Sequence, residues 1–219
     1  AGIFAAAGQT CIAGSRVFAH RQVYDELLEK VAARARSIVI GDPLEAATEL
    51  GPLAFAAQQE KVGSYVELGV SEGAKVLTGG RRPEVDLPGY FYAPTVLTDV
   101  DNSMRVVREE IFGPVAAVMP FDTEEEVLQL ANDTSYGLAA GVWTQNLAPA
   151  HRMARRLEAG TVWVDTYRAM SPMSPRQGFK SSGVGIEHGL ESMNEYTRLK
   201  SVWINTDEGP VADPFVMRS

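Results

Sequence analysis

The chain of 219 residues contains a single cysteine, which excludes an internal disulfide and fits a reducing compartment. It has no recognisable secretory signal segment and no apolar run long enough to cross a bilayer. Lys and Arg number 20 against 28 Asp and Glu, and the basic residues do not gather into a block. The resulting net charge of −8 would repel a phosphate backbone. We therefore expect a cytoplasmic protein that binds neither nucleic acid nor membrane.

An apolar content of 45% is enough for a sizeable core, so we expect one large domain or a domain with an appendage. The clearest pattern is β-α-β-α-β. It comprises strands at 115–121, 139–144 and 161–165 and helices after Thr123 and at 148–157. Thr123 is a favourable N-cap, and three glutamates follow it in the first turn of its helix. Alternation of this kind predicts an α/β fold with an open, mainly parallel twisted sheet and helices on both faces.

Weaker patterns extend this assignment to the rest of the chain. Residues 1–7 read as the end of an Ala-rich helix, and residues 90–97 as a strand at the rim of a sheet because of Pro94. Ligands of open parallel sheets bind beyond the carboxyl ends of the strands, so the long loop 165–183 is placed to line a site. The remaining predicted elements are strands at 15–19 and 73–77, helices at 23–38 and 55–68, and a late strand at 199–205.

Cys11 lies among small residues in the stretch 5–14, AAAGQTCIAG. Small neighbours let a flat ligand or another backbone approach the sulfur, which a nucleophilic thiolate requires. A free cysteine flanked by Ala and Ile is also typical of a small buried hydrophobe in a core. The residues alone leave both interpretations open, and they predict no metal site.

Six segments carry a stronger signal together: 8–16 (GQTCIAGSR), 51–52 (GP), 109–115 (EEIFGPV), 136–140 (YGLAA), 160–164 (GTVWV) and 174–183 (SPRQGFKSSG). In order and spacing they resemble the aldehyde dehydrogenase superfamily of NAD(P)-dependent enzymes, over residues 1 to 205. The resemblance implies a catalytic domain at 1–195, an oligomerisation strand at 196–206 and a tail at 207–219. It also implies that the family's coenzyme domain and the glutamate that activates the hydrolytic water lie outside this chain.

The resemblance assigns roles to individual residues. Cys11 matches the nucleophile that forms a thiohemiacetal and then a thioester with a small aldehyde substrate. The matching cofactor-binding residues, for NAD or NADP, are Glu110 at the nicotinamide ribose, Phe112 near the nicotinamide ring and Gln58 at the adenosine ribose. The expected substrate pocket comprises Phe4, Gln9, Thr10, Ile12, Met170 and Arg176.

The sequence also departs from the family pattern. In the family an aromatic residue and a glycine usually follow Ser-Pro, whereas this sequence has Arg176 and Gln177 there. Asp165 replaces an Asn that is common after Val-Trp-Val, and Ile186 replaces an Arg that is usual at its position. The alternative function is therefore a non-catalytic assembly or interaction module with a degenerate site. We expect Cys11 to be accessible and to lie within about 10 Å of Glu110, because both would surround one nicotinamide. We also expect the isolated chain to be inactive without the coenzyme domain, and the full-length protein to self-associate.

Overall fold

The α/β class is confirmed by the computed structural model, which describes residues 2–206, 208, 209 and 215. The helices are α1 Arg21–Ser37, α2 Ala56–Glu72, α3 Arg105–Arg108, α4 Glu124–Asn132 and α5 Leu147–Arg156, with 3-10 helices at Ala5–Gly8 and Glu191–Tyr196. The strands are β1 Arg16–His20, β2 Lys75–Thr78, β3 Thr95–Thr98, β4 Val115–Phe121, β5 Tyr136–Gly137, β6 Ala139–Val142, β7 Thr161–Val164, β8 Arg176–Gln177, β9 Phe179–Lys180 and β10 Ile186–Glu187.

The main sheet has four strands in the order β1-β4-β3-β2. Strands β1 and β3 run parallel to the central strand β4, and β2 is antiparallel to β3. Strands β6 and β7 form a separate parallel pair that α5 connects. The predicted β-α-β-α-β run therefore crosses from one sheet to another, and its β6-α5-β7 half forms the paired unit.

Helices cover both faces of the main sheet, as the alternation of apolar residues requires. On one face Ala35 of α1 packs with Val96 and Val118. On the other face Val62 and Val66 of α2 pack in a cluster with Leu97 and Ala117. Neighbouring residues of β3 and β4 thus reach opposite layers of the core.

A further cluster joins the two sheets. Val127 and Leu128 of α4 and Met153 of α5 pack with Phe18 of β1 and with Val162 of β7. The predicted cap of α4 is confirmed, because the Thr123 hydroxyl accepts a hydrogen bond of 3.2 Å from the Glu126 amide. This packing joins β7 to β1 through α4 and α5.

Two expectations about local structure are wrong. Strand β3 lies between β4 and β2 with all four residues buried, and not at a rim, because Pro94 precedes its first residue and removes no ladder hydrogen bond. The opening segment is a 3-10 turn, in which Ala6 and Ala7 have φ of 53° and 52°. The left-handed backbone reverses the chain just before Gly8, which an α-helix could not do.

The late apolar segment, residues 197–206, belongs to no strand. Leu199 and Trp203 are fully exposed or nearly so, at 106% and 93%. Pairing of this segment with another subunit stays a prediction, and most of the predicted tail 207–219 lies outside the described residues. Within the described part of the chain, no helix is both long enough and apolar enough to cross a membrane.

Candidate active site

Cys11 lies at the exposed corner of a tight turn. The turn is closed by a 2.9 Å hydrogen bond from the Ala13 amide to the Thr10 carbonyl. The Cys11 amide donates no hydrogen bond to any group in the described residues. The prediction that Cys11 is accessible is confirmed, and the interpretation as a small buried hydrophobe is excluded. The predicted distance of about 10 Å between Cys11 and Glu110 stays a prediction.

Gly8 brings the cysteine turn against the segment that contains Glu110 and Phe112. Its φ is +72°, and a Cβ at this position would lie 2.1 Å from the Gly113 carbonyl oxygen, so only glycine fits. The next residue, Gln9, accepts a 3.0 Å hydrogen bond from the Ala54 amide through its side chain. Two sequence blocks that lie about a hundred residues apart are thus in direct backbone contact.

The Gln58 side chain fixes the Glu110–Phe112 segment through hydrogen bonds to its backbone. It is buried in α2, and its amide nitrogen donates to the carbonyls of Ile111 at 2.9 Å and Phe112 at 2.7 Å. Phe112 has a φ of +58°, a backbone conformation that this pair of hydrogen bonds fixes. Gln58 thus has a positioning role in the structure, and its contact with an adenosine ribose stays a prediction.

Glu110 is exposed and its carboxylate accepts no hydrogen bond within the described residues. Its backbone carbonyl accepts a 2.9 Å hydrogen bond from Lys61. The neighbouring Glu109 is engaged instead, because Arg105 at 2.6 Å and the Tyr65 hydroxyl lower the pKa of its carboxyl to about 2. Of the two adjacent glutamates, Glu110 is the one whose carboxylate remains available to a ligand.

Tyr167 was missed by the sequence reasoning. Its hydroxyl donates to the Ile12 carbonyl, and a Cβ on Gly14 would lie 2.9 Å from that hydroxyl oxygen. The Tyr167 ring packs edge-on against Trp163 of β7 at 5.1 Å. The hydroxyl is protonated at neutral pH, and burial raises its pKa further above the ordinary value of 10.0. The sequence signal that could have identified Tyr167 is its position as an aromatic residue just beyond the carboxyl end of β7.

A cleft of about 400 Å³ opens beside the cysteine turn. Its walls come from Ile12, from β7 and from the loop that leads to β8. The lining residues are Ile12, Thr161, Val162, Trp163, Ala169, Met170, Ser171, Ser174, Pro175 and Arg176. The predicted pocket residues Ile12, Met170 and Arg176 are brought together here.

The other predicted pocket residues lie elsewhere. Phe4 packs against the core cluster of Ala35, Val96 and Val118, and Gln9 is bonded to the Ala54 amide. Thr10 is half-buried at the start of the cysteine turn and is not among the residues that line the cleft. No group of acidic, histidine or cysteine side chains in the described residues could hold a metal ion.

Residues 1–202 match the sequence profile of the aldehyde dehydrogenase family. The chain belongs to the aldehyde dehydrogenase family. It is 47% identical over 201 residues to the putative aldehyde dehydrogenase DhaS of Bacillus subtilis, covering 92% of this chain and 40% of that protein. It is also 47% identical to betaine aldehyde dehydrogenase 1 of Rhizobium meliloti, covering 98% of this chain and 44% of that one.

Solved aldehyde dehydrogenase structures have the same fold. The NAD+ complex of the Bacillus cereus enzyme superposes with a TM-score of 0.88 at 48% identity, over 92% of this chain and 40% of that one. Betaine aldehyde dehydrogenase from Staphylococcus aureus in complex with NAD+ superposes with a TM-score of 0.85 at 42% identity. This match covers 87% of this chain and 38% of that one. The chain thus spans less than half the length of each of these relatives.

Proposed function

We propose that the chain is the nucleophile-bearing part of an NAD(P)-dependent aldehyde dehydrogenase that oxidises an aldehyde to a carboxylic acid. The observation that carries this proposal is the exposed Cys11 turn, packed at Gly8 directly against the segment of Glu110 and Phe112. Membership of the family and the NAD+ complexes of related enzymes support the same function.

Cys11 supplies the covalent step. Its thiolate adds to the aldehyde carbonyl carbon, and the electron pair of the C=O double bond moves to the oxygen, which gives a thiohemiacetal. The Cys11 amide, which donates no hydrogen bond within the described residues, would serve as a donor to this oxyanion. Loss of hydride from the same carbon leaves a thioester, and water then cleaves it to release the acid and the thiol.

The described residues fit a nicotinamide cofactor, which when bound accepts the hydride. Glu110 offers an exposed, unengaged carboxylate, and a carboxylate can accept hydrogen bonds from both hydroxyls of a ribose. Gln58 fixes the segment that presents Glu110 and Phe112. These residues would hold the nicotinamide end of NAD or NADP.

The proposal is tested through the thiol itself. We expect iodoacetamide at neutral pH to label the chain stoichiometrically, the label to map to Cys11, and Cys11→Ser to abolish it. A small aldehyde such as butanal should slow the labelling, because a thiohemiacetal occupies the sulfur. A Cys11 that reacts with iodoacetamide but that no aldehyde protects would overturn the proposed function.

An assembly role is a second candidate, since residues 199–204 present an apolar surface. Leu199, Trp203 and Ile204 are exposed at 106%, 93% and 79%, an unusual concentration for a monomer. We propose that this segment mediates self-association, which is compatible with the enzymatic function. We also propose a cytoplasmic location, because the single thiol must stay reduced to act.

A further inference from the structure

The cleft beside the cysteine turn has an unusual charge. Among the described residues that line it, Arg176 is the charged one, and the remainder are apolar or carry hydroxyls. An arginine does not lose its charge at any physiological pH. Arg176 therefore places a positive charge on the wall of the cleft, and its ion-pair partner Glu187, 4.0 Å away, is not among the lining residues.

Within the described residues, the Arg176 guanidinium has few hydrogen-bond partners. Its side chain is 25% exposed, and its partners are the Met170 sulfur at 3.5 Å and the Glu187 carboxylate at 4.0 Å. A thioether is a weak acceptor, and 4.0 Å is too long for a hydrogen bond. The Glu187 side chain is itself 74% exposed and solvated. Most of the guanidinium donors are thus available to a ligand in the cleft.

Neighbouring hydroxyls add further donors. Ser171 accepts a 3.2 Å hydrogen bond from the Met173 amide, which leaves its O–H free to donate. Ser174 lines the same wall, and its side chain has no partner in the described residues. A guanidinium with adjacent hydroxyls is a favourable environment for a carboxylate or a phosphate, which a guanidinium binds in bidentate fashion.

We propose that the substrate is an aldehyde that carries an oxyanion, a carboxylate or a phosphate, at the end remote from the carbonyl, and that Arg176 binds this group. The inference rests on the proposed function, since Ile12 places the cysteine turn at the border of the same cleft. A positively charged aldehyde is disfavoured here. Betaine aldehyde, for which some relatives are named, carries a trimethylammonium group that Arg176 would repel.

The test compares matched aldehydes on the full chain by their protection of Cys11 from iodoacetamide. Protection requires only that the S–H bond adds across the carbonyl, so no oxidant is involved. The pairs are butanal with 4-oxobutanoate and glyceraldehyde with glyceraldehyde 3-phosphate. We expect half-protection at about tenfold lower concentration for the charged member of at least one pair. Which pair responds identifies the oxyanion as carboxylate or phosphate.

Variants assign the effect to Arg176. Arg176→Gln should remove the advantage of the charged aldehyde, and Arg176→Lys should keep part of it. Arg36→Gln, an exposed arginine of α1, should leave it unchanged. Near-ultraviolet circular dichroism checks that each variant is folded. Equal protection by charged and uncharged aldehydes, with no change in Arg176→Gln, would overturn this inference and leave the proposed function intact. Absence of protection by any aldehyde would overturn both this inference and the proposed function.

Discussion

The thiol of Cys11 is exposed, but the backbone that carries it is fixed from several directions. Gly8 abuts the Gly113 carbonyl, the Gln9 side chain is bonded to Ala54, and the Ile12 carbonyl accepts the Tyr167 hydroxyl. These contacts come from segments that are distant in sequence. This arrangement suits the nucleophilic role proposed for Cys11, because the orientation of the thiol would be fixed before a substrate arrives.

Removal of the Tyr167 hydroxyl should loosen this turn. Tyr167→Phe leaves the Ile12 carbonyl without its partner, which costs about 1 kcal/mol and lowers Tm by about 2 to 4 °C for a chain of this size. Hydrogen–deuterium exchange in a peptide that covers the turn should accelerate, because Ala13 would lose protection. The measurements are thermal unfolding and exchange mass spectrometry.

Tyr24→Phe is the matched control for Tyr167→Phe. Its hydroxyl reaches the Val118 carbonyl at 3.5 Å, too long to contribute much. We expect little change in Tm and none in the exchange of the cysteine turn. An equal loss in both variants would mean that the Tyr167 hydrogen bond does not hold the turn.

Individual residues differed in how far the sequence could predict them. Cys11 and Glu110 were identified by the blocks in which they occur, and the structure finds both exposed. Tyr167 and the inward packing of Phe4 were not predictable, because each depends on a contact with a distant segment. The role of Gly8 was predictable only in part, because its positive φ and its contact with Gly113 depend on the folded structure.

Helices α4 and α5 are joined by two ion pairs on their exposed faces. Arg152 pairs with Glu124 at 2.6 Å and Arg156 with Glu125 at 2.8 Å. Hydrogen bonds from these arginines are the first cause that lowers the pKa of each glutamate from its ordinary value of 4.5. A lowered folded-state pKa means that the stabilisation is present above about pH 4.5 and is lost as the pH falls below it.

Glu124→Gln combined with Glu125→Gln should therefore weaken the pH dependence of stability. As the pH falls from about 5 to about 3, we expect the free energy of unfolding to decrease less in the variant than in the wild type. Urea unfolding at each pH measures this difference. Glu29→Gln removes a carboxylate that has no ion pair in the described residues, and should reproduce the wild-type profile. Identical profiles for the double variant and the wild type would contradict the assignment.

Elements were predicted best where the signal is local. The Thr123 cap and the apolar run of β4 are properties of a few consecutive residues, and both agree with the structure. The placement of β3 inside the sheet and of β6 and β7 in a separate one depends on long-range pairing. Periodicity identifies a strand but does not choose its neighbours.

The molecule as a whole presents the apolar segment 199–204 on its surface. We expect the chain to self-associate through it, and deletion of residues 198–219 to give a monomer by light scattering. A Trp203→Ser and Ile204→Ser double variant keeps the chain length and should have the same effect, because both side chains are exposed. A monomer before and after deletion would rule out association through this segment.

The tryptophans give the cleft a spectroscopic reporter. Trp163 is 7% exposed, lines the cleft and donates its indole N–H to the Ala169 carbonyl at 2.7 Å, whereas Trp143 and Trp203 are 64% and 93% exposed. Acrylamide should quench the fluorescence of the exposed Trp143 and Trp203 first. The remaining blue-shifted emission should come from Trp163. Fluorescence from that residue then reports occupancy of the cleft directly, without turnover and without an added dye.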